Sequence, residues 1–95
     1  MSVRFLKRAR QELGSQLAWL ASMSPDAASR LLEQVERALD LLDAGSVDGE
    51  AFELKSGRMV RRWLVPPLAL YYARRDDVLV IVRVRHGAQR PIIRA

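Results

Sequence analysis

The segment that most constrains the fold is residues 68–86, LALYYARRDDVLVIVRVRH, because it predicts an antiparallel hairpin by itself. Two runs rich in β-branched and aromatic residues are separated only by Asp76 and Asp77, and such runs bounded by turn residues are typical of β-strands. A connection this short joins neighbouring antiparallel strands. The C-terminal half of the chain is therefore expected to form a sheet.

The alternation of side chains along a strand sorts the residues of the second run between two faces. One face receives the valines and the histidine: Val78, Val80, Val82, Val84 and His86. The other face receives Leu79, Ile81, Arg83 and Arg85. We expect the valine face to pack on helices. The other face becomes basic towards the strand end, so Arg83 and Arg85 are expected to point outward to a partner.

Two amphipathic helices are predicted in the N-terminal half. From Lys7 to about Ser22, apolar residues recur every three or four positions, which is the spacing of one helix face. Gly14 costs this helix about 1 kcal/mol relative to alanine, and we expect close packing there. A second helix is expected to begin after Ser24, a good N-cap residue followed by proline, and to end at Gly45. The short turn between them predicts a helical hairpin whose apolar faces need a cover.

Three further strands complete the predicted fold. The segment SVRFL at 2–6 alternates apolar and polar residues, and Phe52 and Leu54 alternate in a brief strand. MVRRWLV at 59–65 is expected to end at Pro66-Pro67, because proline cannot donate to a strand ladder. The predicted class is α+β, with an N-terminal strand and an α-helical hairpin packed on a small antiparallel β-sheet. The length predicts one domain spanning 1–95.

Charge and composition narrow the possible functions. The net charge of +5 lies entirely in residues 48–95, which carry ten bases against five acids, and a one-sided basic field predicts an acidic protein or nucleic acid partner. One histidine and no cysteine cannot make the usual metal site, and no glycine-rich phosphate loop occurs, so no metal or cofactor is expected. No apolar run approaches the ~20 residues of a membrane helix, and we expect a cytoplasmic protein without a membrane partner.

The candidate site consists of basic and aromatic side chains in the C-terminal half: Arg61, Arg62, Trp63, Tyr72, Arg83, Arg85 and His86. The four arginines lie on two predicted strands of one sheet and are expected to converge on its exposed face. Guanidinium groups near an aromatic ring hold a phosphate backbone or clamp an acidic protein tail, and a solvated charged face is the third interpretation. His86 is either a general acid or base, or a strand-end residue bonded to a loop carbonyl.

The order of these elements resembles the RelE/ParE superfamily of type II toxin–antitoxin toxins, and the ParE branch fits best. That branch shows an Arg shortly before an apolar stretch, a Tyr closing the next strand, and an Ile-x-Arg-Val-x-His-Gly segment. The corresponding residues are Arg61, Tyr72 and Ile81-Val82-Arg83-Val84-Arg85-His86-Gly87. Ser24-Pro25-Asp26-Ala27-Ala28 is similar to the family's Asn-Pro-x-Ala-Ala. After His-Gly, where many members carry Arg then Asp, this chain has Gln89-Arg90-Pro91.

The resemblance implies a toxin that inhibits DNA gyrase by binding, with roles in growth inhibition and plasmid stabilisation. It implies neutralisation by a co-expressed, acidic-tailed, ParD-like antitoxin in a hetero-oligomer that contacts operator DNA only through the antitoxin. Arg90 joins the candidate binding residues in this interpretation. RelE-like members are ribosome-dependent mRNA endonucleases, and in that alternative Arg61, Arg83 and His86 are the catalytic candidates. A third alternative is a non-toxic member that only binds antitoxin.

Overall fold

The order of the elements agrees with the sequence-based expectation. The computed structural model describes residues 2–94. The elements are β1 (Ser2–Phe5), α1 (Lys7–Met23), α2 (Pro25–Asp43), β2 (Glu50–Glu53), β3 (Met59–Val65), β4 (Leu68–Arg75) and β5 (Val78–His86). Two helices pack on one five-stranded sheet, which confirms the α+β class.

The sheet is mixed rather than purely antiparallel. Its strand order is β1-β5-β4-β3-β2, and the strands β2 to β5 pair in antiparallel fashion as expected. β1 pairs with β5 in the parallel direction, from Ser2 opposite Val78 to Phe5 opposite Ile81. Parallel pairing requires a long crossover, which the helical hairpin and the three intervening strands provide. β1 is an edge strand and covers only the first part of β5.

The helical hairpin follows the local sequence signals. The Ser24 hydroxyl accepts a hydrogen bond from the Ala27 N–H at 3.2 Å, and proline occupies the first position of α2. α2 ends just before Gly45, whose φ of 74° lies in the left-handed region that favours glycine. The expectation of close packing at Gly14 is wrong, because a methyl group added there would meet no atom within 4 Å. None of the helices within residues 2–94 is long and apolar enough to cross a membrane.

The turn between β4 and β5 is the two-residue turn predicted from the sequence. Asp76 and Asp77 have φ values of 50° and 63°, so both residues occupy the left-handed region. Two left-handed residues match the right-handed twist of the flanking strands, and aspartate tolerates this conformation better than most residues. The flanking residues Arg75 and Val78 are paired across the two strands.

A β-bulge in the middle of this hairpin changes which side chains face the helices. Tyr72 lies opposite Ile81, whereas the preceding residue, Tyr71, lies opposite Arg83. Val82 is therefore the extra residue of β5, and the regular alternation of side chains is interrupted at this position.

The expectation that the valine row of β5 packs on the helices is wrong: Val80 already lies on the opposite face before the bulge, and only Val84, after the bulge, faces the helices. Before the bulge, Leu79 and Ile81 lie in the cluster that contains the helices, and after it Val84 does. Val80 and Val82 belong instead to a cluster on the opposite face of the sheet. Strict alternation over nine residues predicts one apolar face, but the inserted residue exchanges the faces part-way along the strand.

Two hydrophobic clusters cover the two faces of the sheet. The larger joins helix and strand residues: Ala9, Leu31, Val35, Ala38, Leu42, Val65, Leu68, Leu70, Tyr72, Leu79, Ile81 and Val84. The smaller joins Leu54, Val60, Tyr71 and Val82, with Ile92 and Ile93 of the C-terminal segment packed on it. That segment is held by backbone hydrogen bonds from Lys55 to Ile92 at 2.8 Å and from Arg94 to Glu53 at 2.7 Å. The second face is therefore partly covered, not merely a wet basic surface.

Candidate functional site

Arg83 and Arg85 turn towards helix α1, where they meet the carboxylate of Glu12. The Arg83 Nε lies 3.0 and 3.1 Å from the two carboxylate oxygens, and its Nη2 lies 2.7 Å from one of them. The Arg85 Nη1 lies 3.7 Å from the same carboxylate. The side chains of the two arginines are only 13% and 17% exposed. Arg83 and Arg85, which were expected to point outward to a partner, are thus largely buried against Glu12, and their role in binding a partner stays a prediction.

The short first strand explains this arrangement. β1 pairs with β5 only as far as Ile81, so the edge of β5 beyond that residue has no neighbouring strand. Glu12 fills this position and accepts a hydrogen bond from the Val84 N–H at 3.0 Å. Further along the same strand, the His86 N–H donates to Gln89 Oε1 at 2.7 Å. Side chains thus satisfy two backbone donors of β5 that lack a partner strand.

The environment of Glu12 holds its carboxyl group in the ionised form. Burial alone raises the pKa of this group, but hydrogen bonds from Arg83 and from the Val84 N–H, together with the charges of Arg83 and Arg85, outweigh burial. The pKa of Glu12 is consequently lower than its ordinary value of 4.5. A depressed pKa in the folded state means that the carboxylate stabilises the fold above about pH 4.5, and that this contribution is lost as the pH falls further.

A second carboxylate, Asp48, organises a separate network that includes Tyr72 of the helix-facing cluster. The Tyr72 hydroxyl donates to Asp48 Oδ1 at 2.5 Å and accepts from the Gly49 N–H at 2.6 Å. Arg74 donates to the same Asp48 oxygen at 2.8 Å, and Arg61 Nη1 donates to the Gly49 carbonyl at 2.7 Å. Arg61 and Tyr72 therefore belong to a network that fastens the loop between α2 and β2 to the sheet.

The pKa values in this network follow from its hydrogen bonds. Hydrogen bonds from Tyr72 and Arg74 lower the pKa of Asp48 below its ordinary value, despite partial burial. Burial and the hydrogen bond to Asp48 raise the pKa of the Tyr72 hydroxyl. Asp48 is thus an acceptor and Tyr72 a donor at neutral pH, and neither group is poised to exchange a proton there.

Removing the Tyr72 hydroxyl is expected to destabilise the protein. Tyr72→Phe deletes the bonds to Asp48 and Gly49 and should lower the free energy of unfolding by about 1–2 kcal/mol, the usual cost of leaving such partners unpaired. Urea denaturation measures this change. Tyr71→Phe is the matched control, because the Tyr71 hydroxyl makes no hydrogen bond within residues 2–94. Equal losses in the two variants would contradict a structural role for the network.

The three nuclease candidates are not assembled into one site. Arg61 is held at Asp48 and Gly49, whereas Arg83 is held at Glu12. Strand β4 lies between the strands that carry these arginines. The His86 Nδ1 accepts a hydrogen bond from the Ala88 N–H at 3.0 Å, which is a strand-end role close to the second interpretation of this residue. The expected convergence of four arginines on one face does not form.

Each β3 residue lies on the same face of the sheet as the β4 residue with which it pairs. Arg61 pairs with Tyr72, which lies in the helix-facing cluster, whereas Arg62 pairs with Tyr71 on the opposite face. Trp63 is partly buried against the helix-facing cluster. Arg61 and Arg62 therefore lie on different faces of the sheet.

The remaining candidates do meet, around a cavity on the face opposite the helices. Arg62, Arg85, His86 and Arg90 line a cavity of about 360 Å³ between the sheet and the C-terminal segment. The Arg62 guanidinium lies 4.3 Å from the centre of the Phe52 ring. Arg85 Nη2 donates to the Arg90 carbonyl at 2.6 Å, so the C-terminal segment closes one side of the cavity. Within residues 2–94, no group of three histidine or acidic side chains is placed to hold a metal ion.

The comparison with known families agrees with this architecture. The sequence matches the family model for the ParE toxin of type II toxin–antitoxin system, parDE, over residues 3–91. The chain belongs to the ParE toxin family. The fold of this ParE toxin is similar to a solved structure of a chromosomal ParDE toxin–antitoxin system from P. aeruginosa, with a TM-score of 0.71 and 16% identity over 90% of this chain and 95% of that chain. No curated protein sequence matches the chain.

The sequence analysis did not identify two residues that organise the surface of this ParE toxin. Glu12 and Asp48 counted only as acidic residues in the charge balance, whereas each one anchors arginines of the sheet. Glu12 is separated by 71 residues from Arg83, and Asp48 by 24 residues from Tyr72. No local spacing signals contacts at these distances in the chain.

Proposed function

We propose that this ParE toxin inhibits DNA gyrase by binding to it in the cytoplasm, and that a cognate ParD-like antitoxin neutralises it. The observation that carries the proposal is the family match over residues 3–91. The similar solved structure is that of a ParDE system, and this likeness supports an antitoxin partner for the present chain. The excess of positive charge in residues 48–95 supports an acidic partner surface.

The antitoxin is proposed to cover the helical hairpin and the basic face of the sheet. Trp19 and Met23 on α1, with Leu32 and Leu41 on α2, are exposed apolar side chains on the hairpin. Apolar side chains of a partner would remove these groups from water, while its acidic residues would reach the arginines on the second face. Operator DNA would then be bound through the antitoxin.

The proposal predicts a specific enzymatic effect. Purified toxin added to purified gyrase and relaxed plasmid should abolish supercoiling, and mRNA on translating ribosomes should stay intact. The gene adjacent to the toxin gene should encode a short, acidic, helix-rich protein, and mixing in that protein before gyrase should restore supercoiling. The measurements are plasmid gel electrophoresis and primer extension on mRNA.

Two outcomes would contradict this proposal in different ways. Cleavage of mRNA at the ribosomal A site with gyrase unaffected would favour the endonuclease alternative. Normal growth after induction of folded toxin, together with normal supercoiling, would favour a member that binds antitoxin but poisons nothing.

A further inference from the structure

The balance of charge at Glu12 leaves one guanidinium group uncompensated. Arg83 donates three hydrogen bonds to the Glu12 carboxylate, and the Val84 N–H donates a fourth. Arg85 approaches it only at 3.7 Å, and its Nε is shielded from solvent without an acceptor among the described residues. Two largely buried positive charges therefore share a single negative charge. Buried charges are ordinarily paired, because an unpaired one is costly to remove from water.

Arg85, which carries the uncompensated guanidinium, lines the cavity of about 360 Å³. This volume is within the range of ~300–1,000 Å³ that is typical of ligand pockets. Arg62 lies on the same wall, stacked on Phe52, and forms no ion pair within residues 2–94. Apolar side chains, including Leu64, Pro66 and Ile92, make up much of the remaining wall.

We propose that this cavity binds the carboxylate of an acidic peptide, an Asp or Glu side chain beside an apolar residue, between Arg62 and Arg85. The two guanidinium groups supply charge-assisted hydrogen bonds to the carboxylate, and the apolar wall receives the neighbouring side chain. The site favours a peptide over a nucleic acid because its wall is mostly aliphatic and the Tyr71 ring is only 5% exposed, which leaves the His86 imidazole as the one ring of the wall open to a base. The inference rests on the proposed function only in taking a protein as the partner.

The experiment uses the full chain and three defined probes. The acidic probe is the tripeptide Leu-Glu-Leu with both ends blocked, its neutral counterpart is blocked Leu-Gln-Leu, and the nucleic acid probe is a phosphorylated thymidine dinucleotide. Each is titrated into isotopically labelled protein, and the Kd is obtained from amide chemical shifts. The acidic peptide should bind, shift the amides of Arg62, Arg85 and the C-terminal segment, and bind at least tenfold more tightly than the other two probes.

Variants localise the effect. Arg62→Gln and Arg85→Gln should each weaken binding of the acidic peptide by roughly tenfold, the loss expected for one charge-assisted hydrogen bond. Arg75→Gln removes the same charge from an exposed position outside the cavity and should leave the Kd within about twofold. Arg62 lies in the outer part of the sheet, so Arg62→Gln provides the test even if Arg85→Gln unfolds the protein, which thermal denaturation would reveal.

The outcomes separate this inference from the proposed function. Equal binding of the acidic and neutral peptides, no binding of either, or tighter binding of the dinucleotide would each overturn it. An equal effect of Arg75→Gln would also overturn it, because binding would then follow net charge and not the cavity. None of these measurements involves gyrase, so normal inhibition of gyrase together with a failed titration would reject the carboxylate site alone.

Discussion

Glu12→Gln is expected to lower the free energy of unfolding by about 2–4 kcal/mol. Removing one partner from a buried ion pair typically costs about 3–5 kcal/mol, because the other charge remains buried. The side chains of Glu12 and the two arginines are 13–17% exposed, so some solvent screening reduces the cost below that range. The variant leaves both Arg83 and Arg85 without a counter-charge and weakens the acceptor for the Val84 N–H.

Urea denaturation at several pH values measures the contribution of Glu12. In the wild-type protein the pKa of Glu12 is depressed, so its contribution should be complete above pH 4.5 and decline as the pH falls. The difference in stability between wild type and Glu12→Gln should therefore shrink below pH 4.5. Glu36→Gln, at an exposed position on α2, is the control and should change the stability by less than about 0.5 kcal/mol. A pH-independent difference would contradict the ion pair as its cause.

Gly49→Ala is expected to destabilise the protein by about 2–3 kcal/mol, whereas Gly14→Ala should stabilise it. An added Cβ at Gly49 would overlap the Arg62 carbonyl oxygen, and a backbone atom of a strand cannot move aside without breaking its pairing. The shift would also disturb the Gly49 N–H and C=O groups that bind Tyr72 and Arg61. An added Cβ at Gly14 meets open space within a helix, where alanine is favoured by about 0.5–1 kcal/mol.

These two variants carry the same chemical change, so they control for each other. Their free energies of unfolding from urea denaturation should differ in sign relative to the wild type. Destabilisation by Gly14→Ala would show that α1 contacts something beyond the described fold, and an unchanged Gly49→Ala protein would show that the loop before β2 relaxes freely.

The parts of the fold that depend on neighbours in the chain were predicted from the sequence. The start of α2 follows from Ser24 and Pro25, and the hairpin turn follows from Asp76 and Asp77. The ParE motifs pointed to the correct family, because they record the order of these local elements along nearly the whole chain. The strand pairing from β2 to β5 also follows, since short connections join antiparallel neighbours.

The site was predicted only in part. Arg62, Arg85, His86 and Arg90 were identified from charge and motif, and the structure brings them to one cavity. Arg61, Tyr72 and Arg83 were identified too, but they serve the Asp48 and Glu12 networks and lie elsewhere. Their roles in binding a target or an antitoxin stay predictions.

The sequence by itself determined the elements, their order, the α+β class and the basic character of the C-terminal half. These properties depend on side-chain periodicity, capping, turn residues and charge, which act over a few residues. Only the tertiary structure decided which face each arginine serves, because one inserted residue at Val82 reverses the alternation of β5. It also decided that Glu12 accompanies two arginines, since a carboxylate fills the strand edge that the four-residue β1 leaves open. That contact joins residues about seventy positions apart. It forms because a buried guanidinium needs a counter-charge, and local helix or strand propensity does not determine it.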